Sequence, residues 1–480
     1  MRTQSTYLSA PEQERIHRDS LRILSEVGVR FRSARARKLL SGHGARVDHG
    51  REFVWIGPEM VEQALKTAPK SFTLGARQAA FDFALPSPFT GYTLDGAATF
   101  AVDFETSERR YAVTKDLIAS LRIFEELPLG TVVWPNVVLD DIPKHSSDVR
   151  TALLSFMYSS KHIQHVVHHP AHVPYLIEGL AAILGGEAAI RQRKIFSVCY
   201  CTIPPLTHDL DMCDACLELA QFHVPILPYP MPACGSTGPA SLRSDIAVAN
   251  AESLSALVLF QMASPGTPII YGSAAGVTNF RTGGFVQGAS ESVLINTALG
   301  GMARFYGLPN TQAGCLTDAQ EPGAQALLEK MVTTLPLVLA GVDVINGIGE
   351  MATSQLLVQE QILVDHELAC LCKRLKDGID VSDAQDYFGD VARLGPGGHF
   401  LMEDNTVAAC RSPQFIHPQL AERSPYEEWL KLGRPDMYSK ARKKVQSILA
   451  SPLKQPLPGD VIGKLEDIMR RADEQLAETH

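Results

Sequence analysis

Pro225-Ile226-Leu227-Pro228-Tyr229-Pro230-Met231 runs into the small-residue turn Cys234-Gly235-Ser236-Thr237-Gly238-Pro239, then into a long apolar segment, Ser241 to Ala263, and a second apolar run, Pro268 to Ser273. The two runs have the length of buried strands. The segment between them has helical spacing, with Leu242, Ile246, Ala249, Ser253, Leu257 and Phe260 on or near one stripe and Pro265-Gly266 as its stop. Strand, helix and strand in this order make the unit from which parallel sheets are built. The turn is the natural ligand position: Ser236 or Thr237 is expected to cap the helix ahead of Pro239, leaving backbone N–H groups that suit an anion.

The same unit recurs on both sides of this stretch. Eight apolar strands are predicted, at Ala97 to Val102, Thr131 to Val137, Ile163 to Val167, Ile195 to Cys201, Pro225 to Met231, Pro268 to Ser273, Asn310 to Gly314 and Val342 to Gly347, each followed by a helical segment. Eight alternating strands and helices define an α/β fold of the (β/α)8 TIM barrel type. A doubly wound open sheet would normally show a nucleotide loop, and neither Gly-x-Gly-x-x-Gly nor a Walker-type Gly-Lys-Ser/Thr occurs at a strand end. The expected division is an N-terminal mixed extension (1–90), the barrel (91–378) and a C-terminal helical extension (379–480). In the first part, residues 11–27 read as a helix with Ile16, Ile23, Leu24 and Val27 on its apolar stripe; in the last, Asp460 to Glu478 reads as a solvated, charged helix.

With 480 residues, 45% hydrophobic and 20% charged, the chain can bury a large core, and its formal net charge of −9 argues against a nucleic-acid partner. Met1 to Arg15 lacks the apolar centre of a secretory signal, and apolar runs such as Leu335 to Val344 are shorter than the ~20 residues that span a bilayer, so a cytoplasmic protein without a membrane partner is predicted. The nine cysteines are scattered through apolar segments and read as reduced thiols.

In a barrel of this kind function gathers at the C-terminal ends of the strands. That rule selects Trp134 and Asn136, His165, His168 and His169, Tyr200 and Thr202, Tyr229 and Met231, Tyr271, Gln312 and Cys315, and Asn346 with Glu350. The group is rich in aromatic faces, which attract a cation of spread charge that cannot donate hydrogen bonds. Glu350 and Asn346 are the candidate catalytic groups, with Glu350 able to balance a bound cation. Cys213-x-x-Cys216, with His208 nearby, invites a zinc reading, but three ligands on one helix leave that site incomplete and no metal is expected. Gly-x-Ser-x-Gly and His-Glu-x-x-His are both missing.

Ser236-Thr237-Gly238-Pro239-Ala240-Ser241, Asn250-Ala251-Glu252, Pro268-Ile269-Ile270-Tyr271-Gly272, Ala303-Arg304-Phe305-Tyr306-Gly307-Leu308-Pro309, Thr317-Asp318-Ala319, Gly398-His399-Phe400-Leu401 and Tyr426-Glu427-Glu428-Trp429 together resemble the trimethylamine methyltransferase family over most of the chain. The resemblance implies a (β/α)8 barrel that passes a methyl group from a methylated amine to the cobalt of a separate corrinoid protein. It implies no tightly bound cofactor, because the cobalamin stays on the partner, and a homo-oligomer. Founding members carry pyrrolysine in the neighbourhood of Gly314 to Asp318. This chain has Cys315 and Leu316 there, which implies the non-pyrrolysine branch, whose known substrates are quaternary amines such as glycine betaine.

A quaternary ammonium already has a neutral amine as its leaving group, so a cobalt(I) nucleophile can displace it without a general acid, and the barrel need only hold and aim it. On this reading Trp134, Tyr200, Tyr229 and Tyr271 hold the trimethylammonium, with Gln312 and Cys315 beside them. Ser236 and Thr237, or His168, take the carboxylate. The alternatives are a non-catalytic betaine-binding protein of the same fold and a zinc-dependent corrinoid methyltransferase.

Overall fold

The computed structural model describes residues 5–96 and 98–477. Eight parallel strands form its centre: β1 (Gly91–Leu94), β2 (Gly130–Val133), β3 (His162–Val166), β4 (Phe196–Tyr200), β5 (Ile226–Pro228), β6 (Tyr271–Ser273), β7 (Asn310–Ala313) and β8 (Val344–Ile348). They pair in the order β5-β4-β3-β2-β1-β8-β7-β6. The ring closes between β5 and the residues just before β6, where the Ile226 N–H donates to the Pro268 carbonyl and the Ile270 N–H to the Ile226 carbonyl, each at 2.9 Å. The chain is therefore a (β/α)8 barrel. Its outer helices are α1 (Thr114–Glu125), α2 (Ser147–Tyr158), α3 (Val173–Leu184), α4 (Asp211–Gln221), α5 (Leu242–Ala263), α6 (Ser290–Phe305), α7 (Ala324–Ala340) and α8 (Gln359–Asp377).

The first strand is not the one expected. Phe100–Val102 lies outside the barrel, in a small sheet with Arg109–Tyr111 and Leu356–Leu357 near the mouth. Ala97, where that strand was expected to begin, lies outside the described residues. Gly91–Leu94 takes its place. This four-residue run follows directly on Pro86 and Pro88, so period alone does not favour it over its apolar neighbour. Its position places Asp95 at the barrel mouth.

Strand alternation sorts the interior. Val132, Cys199, Leu227, Ile270 and Val344 point into the barrel, where they meet Leu74, Phe83 and Leu85 of the hairpin Phe72–Leu74/Phe83–Leu85. That hairpin sits at the N-terminal end of the strands, since the Gly75 carbonyl is 2.8 Å from His162 Nδ1 at the start of β3. One end of the barrel is filled with apolar side chains and the other is left for a ligand.

Helix α5 differs from its expected one-sided stripe: Asp245 to Gln261 are buried all round. The N-terminal helices Ala10–Arg22 and Pro58–Thr67 pack on the side that would otherwise face water. With a mean hydropathy of 1.4 this helix is long and apolar enough to cross a membrane, yet 89% of its apolar window is buried within the protein. Val27, assigned above to the N-terminal stripe, is 57% exposed because Ile23–Val27 winds as a π-turn that shifts the face. The last helix, Gly459–Leu476, is likewise not merely solvated: Leu465, Ile468, Met469 and Ala472 are buried against α2 and α3. Its Asp473 carboxylate accepts from Arg150 Nε at 2.8 Å.

Candidate active site

A cavity of about 710 Å3 opens at the C-terminal ends of the strands. Its floor comes from the inward alternation. Two residues beyond the interior Leu227 is Tyr229, two beyond Val132 is Trp134, two beyond Val344 is Asn346 and two beyond Cys199 is Cys201, and all four line the cavity. Trp134 and Tyr229 meet edge to face, with centroids 5.5 Å apart at 66°, and form an aromatic corner. Gly96 makes room for it: a Cβ at that position would stand 2.0 Å from Trp134 Nε1.

A polar chain runs along the same floor. Tyr229 Oη donates to Asn346 Oδ1, Asn346 Nδ2 donates to Asp95 Oδ1 at 3.1 Å, and Ser354 Oγ donates to the other Asp95 oxygen. Burial pushes the Asp95 carboxyl above its usual range, although these hydrogen bonds and the Gly96 N–H oppose the rise. A cation against the aromatic corner would lie beside an acid that gains by ionising. Asp95 was missed because the first strand was misplaced. The signal was present in Tyr92-Thr93-Leu94-Asp95-Gly96, an acid and a glycine closing a buried run.

His168, Asp148 and His165 line another side of the cavity. His168 Nδ1 donates to Asp148 Oδ1 at 2.9 Å, and His172 Nδ1 lies 2.8 Å from Asp148 Oδ2. Burial alone would raise the Asp148 carboxyl, but the hydrogen bonds from the two histidines hold it well below the carboxylate range. In return, the hydrogen bond to Asp148 raises the His168 imidazole above its usual value. His168 thus presents an imidazole edge that is 61% exposed at the side chain and more readily protonated than a free histidine. Burial pulls His165 the other way, down to about 4, so it is the neutral histidine of the group.

Ser236 and Thr237 also line the cavity, but not as helix caps. Helix α5 begins at Leu242, and its N-cap Ser241 makes no side-chain capping bond. The Gly235 N–H donates to the Gly238 carbonyl, and the Ser236 and Gly238 N–H groups donate to the Ala233 carbonyl, so these amides are satisfied inside the turn. Thr237 Oγ1 accepts from the Ala233 N–H at 2.9 Å, and Thr278 Oγ1 donates to Ser236 Oγ at 2.8 Å. The turn offers hydroxyl oxygens rather than a cradle of N–H groups.

The other expected residues lie elsewhere. Tyr200 follows the inward Cys199 and so points outward: Tyr200 Oη donates to His208 Nδ1 at 2.8 Å, and the ring stands edge-on to Phe260 in α5. Tyr271, next to the inward Ile270, donates to Asn250 Oδ1 of α5 at 2.7 Å. Neither tyrosine is in the cage. Gln312 is fully buried with both amide atoms unpartnered and does not reach the cavity. Cys315 is enclosed, and burial raises its thiol far above the usual range. Glu350 is 1% exposed, lies off the cavity lining and has neither carboxylate oxygen hydrogen-bonded. Burial, followed by the nearby Asp95, pushes its carboxyl well above the usual range. Of the zinc candidates, His208 is engaged at both nitrogens, by Tyr200 and by Ser255 at 2.8 Å, and burial pushes the Cys213 thiol up to about 12. Among the described residues no three His, Cys, Asp or Glu side chains gather as metal ligands.

The barrel mouth thus pairs an aromatic corner and a buried acid with a histidine whose imidazole is held above its usual range. The chain belongs to the trimethylamine methyltransferase (MTTB) family, whose model matches residues 2–477. It is 29% identical over 460 residues to the trimethylamine methyltransferase MttB of Desulfitobacterium hafniense (strain DSM 10664 / DCB-2), covering 96% of this chain and 92% of that protein. It is 28% identical over 485 residues to the glycine betaine methyltransferase of Desulfitobacterium hafniense (strain Y51), covering 98% of each. Among solved structures, the Methanosarcina barkeri monomethylamine methyltransferase (MtmB) aligns with a TM-score of 0.53 at 13% identity over 92% of this chain and 88% of that one, a likeness of fold. The protein is a methyltransferase of this family.

Proposed function

We propose that this methyltransferase takes a small quaternary ammonium carboxylate, with glycine betaine the best-matched example, and delivers one of its methyl groups to the Co(I) of a cognate corrinoid protein. The observation that carries the reading is the floor of the cavity, where Trp134 and Tyr229 meet beside the hydrogen-bonded chain from Asn346 to Asp95. Aromatic faces and an ionisable carboxyl stabilise a trimethylammonium that needs no hydrogen-bond donor. At the other end of the ligand, the His168 imidazolium and the hydroxyls of Ser236 and Thr237 accommodate the carboxylate.

The corrinoid, carried on its own protein, supplies the methyl acceptor. Its chemistry fits a cavity much larger than a small amine, with room above the bound cation for a second reactant. The residues of this chain orient the substrate: the corner fixes the nitrogen, the opposite wall fixes the carboxylate, and the remaining methyl faces the mouth. Because the leaving amine is neutral, no general acid is needed, in keeping with a Glu350 that lies off the cavity. Cys315 and Leu316 in place of a specialised residue support a substrate that needs no further activation.

The test is a single turnover with purified protein, free Co(I) cobalamin and either glycine betaine or trimethylamine. Methyl-cobalamin absorbance with the betaine and little with the tertiary amine is the expected result. Tight betaine binding with no methyl transfer would support a non-catalytic binding protein instead.

A further inference from the structure

Cys199, in β4, and Cys201, just past its end, are two positions apart and share the inward face of the barrel. Cys201 lines the cavity and Cys199 lies one pleat deeper, with the two sulfurs 3.8 Å apart. The backbone that carries them is held on both sides: Cys199 pairs with Val166 of β3 and with Leu227 of β5, and the Tyr229 N–H donates to the Tyr200 carbonyl at 2.9 Å. Tyr200, between the thiols, is tied outward to His208. Only the side-chain torsions of the two cysteines are left to vary. Continued by two residues, the same register sets Cys201 between His168 and Tyr229, both on the cavity wall.

The two thiols are unlike. Burial raises Cys199 well above the usual thiol range. Cys201 is lowered, by the hydrogen bond from Cys199 and then by His168, against burial and the charge of Asp95. Cys201 is therefore the sulfur that ionises and Cys199 the one that keeps its proton, and the thiolate is the nucleophile of sulfur chemistry. The other close pairs in the sequence lack this setting. Cys213 and Cys216 sit on helix α4, Cys370 and Cys372 point to different sides of helix α8, and none of the four lines the cavity.

We propose that Cys201 and Cys199 form an oxidation site on the cavity wall, where a small hydroperoxide converts the two thiols into one intrachain disulfide. The Cys201 thiolate attacks a peroxide oxygen: an S–O bond forms, the O–O bond breaks, and the departing oxygen takes up a proton to leave as water or alcohol. Cys199 then attacks the Cys201 sulfenic acid: the S–S bond forms, the S–O bond breaks, and the hydroxyl leaves with the Cys199 proton as water. The two thiols lose two electrons and the hydroperoxide gains them. Cα atoms two apart in a strand are separated by about 6.6 Å, at the long end of what a disulfide spans, which makes the bond one of the readily reduced kind. Closing the sulfurs from 3.8 Å to about 2.05 Å draws Cys201 down from between His168 and Tyr229, so oxidation reshapes the wall. The site is independent of which amine the cavity holds.

The test uses the full-length Cys410→Ser protein, which lacks the exposed thiol near the C-terminus, reduced, freed of reductant and treated with hydrogen peroxide. The intact mass is expected to fall by that of two hydrogens. Differential alkylation with fragment mass spectrometry should place the link at Cys199 and Cys201, and dithiothreitol should restore both thiols. Adding Cys199→Ser should stop the reaction at a Cys201 sulfenic acid that dimedone captures. Adding Cys201→Ser should slow peroxide consumption at least ~10-fold and leave Cys199 reduced. A link between other cysteines, oxidation of Cys201 alone while Cys199 keeps its thiol, or undiminished peroxide consumption in the Cys201→Ser protein would overturn the proposal.

Discussion

Trp134 and Tyr229 sit at the ends of barrel strands as Tyr200 and Tyr271 do, yet the first pair lines the cavity and the second is locked into the layer of helix α5. One residue of strand alternation makes the difference. Tyr229 lies two positions from the interior Leu227, while Tyr200 and Tyr271 each lie one from an interior residue. An aromatic at a strand end is therefore equally ready to be a ligand surface or a spacer between sheet and helix, and the parity of its apolar neighbours decides which.

Substitutions on the two faces should separate cleanly. Tyr229→Ala removes the edge contact with Trp134 and the bond that aligns Asn346, and glycine betaine affinity measured by calorimetry should fall ~100-fold or more. Asp95→Asn should cost about tenfold at pH 8. In the wild type the attraction between Asp95 and the ammonium is complete above its raised pKa and is lost as pH falls through it. Affinity of a quaternary amine that lacks a carboxylate should therefore rise with pH in the wild type and stay flat in the variant.

On the opposite wall, Asp148→Asn removes the carboxylate that raises the His168 imidazole above its usual range. The imidazolium attracts the ligand carboxylate below its folded pKa, and that attraction is lost as pH rises through it. The variant should lose betaine affinity a few-fold at pH 7, with the loss beginning at lower pH than in the wild type. The smallest effect belongs to the outward face. Tyr271→Phe should leave betaine affinity unchanged while lowering the unfolding free energy by about 1 kcal/mol, the value of its bond to Asn250. A large loss of affinity in Tyr271→Phe would break the distinction between the faces.

The barrel was legible because seven of its strands are apolar runs followed by helices of ordinary length, and Trp134, Tyr229, Asn346 and His168 follow from strand ends, with Ser236 and Thr237 from the small-residue turn after β5. What was not legible depended on neighbours far along the chain. Gly91–Leu94 is a strand only because β2 and β8 pair on either side of it. Helix α5 reads as one-sided until the N-terminal helices cover its other face. The expected cradle of free amides is lost because the turn takes up the N–H groups of Gly235, Ser236 and Gly238 before the helix begins, a local choice that composition does not specify. Asp95 was hidden by a single misplaced strand, although it completes the polar floor.

On the proposed function, the corner of Trp134 and Tyr229 beside Asp95 recognises positive charge and not merely shape. Glycine betaine and 3,3-dimethylbutanoate have the same outline, but the second carries carbon where the first carries the ammonium nitrogen. Calorimetric titration of both at pH 8 is the direct measurement. Glycine betaine is expected to bind at least ~10-fold tighter, with most of that margin lost in Asp95→Asn. Equal affinity of the two ligands for the wild-type protein would contradict it.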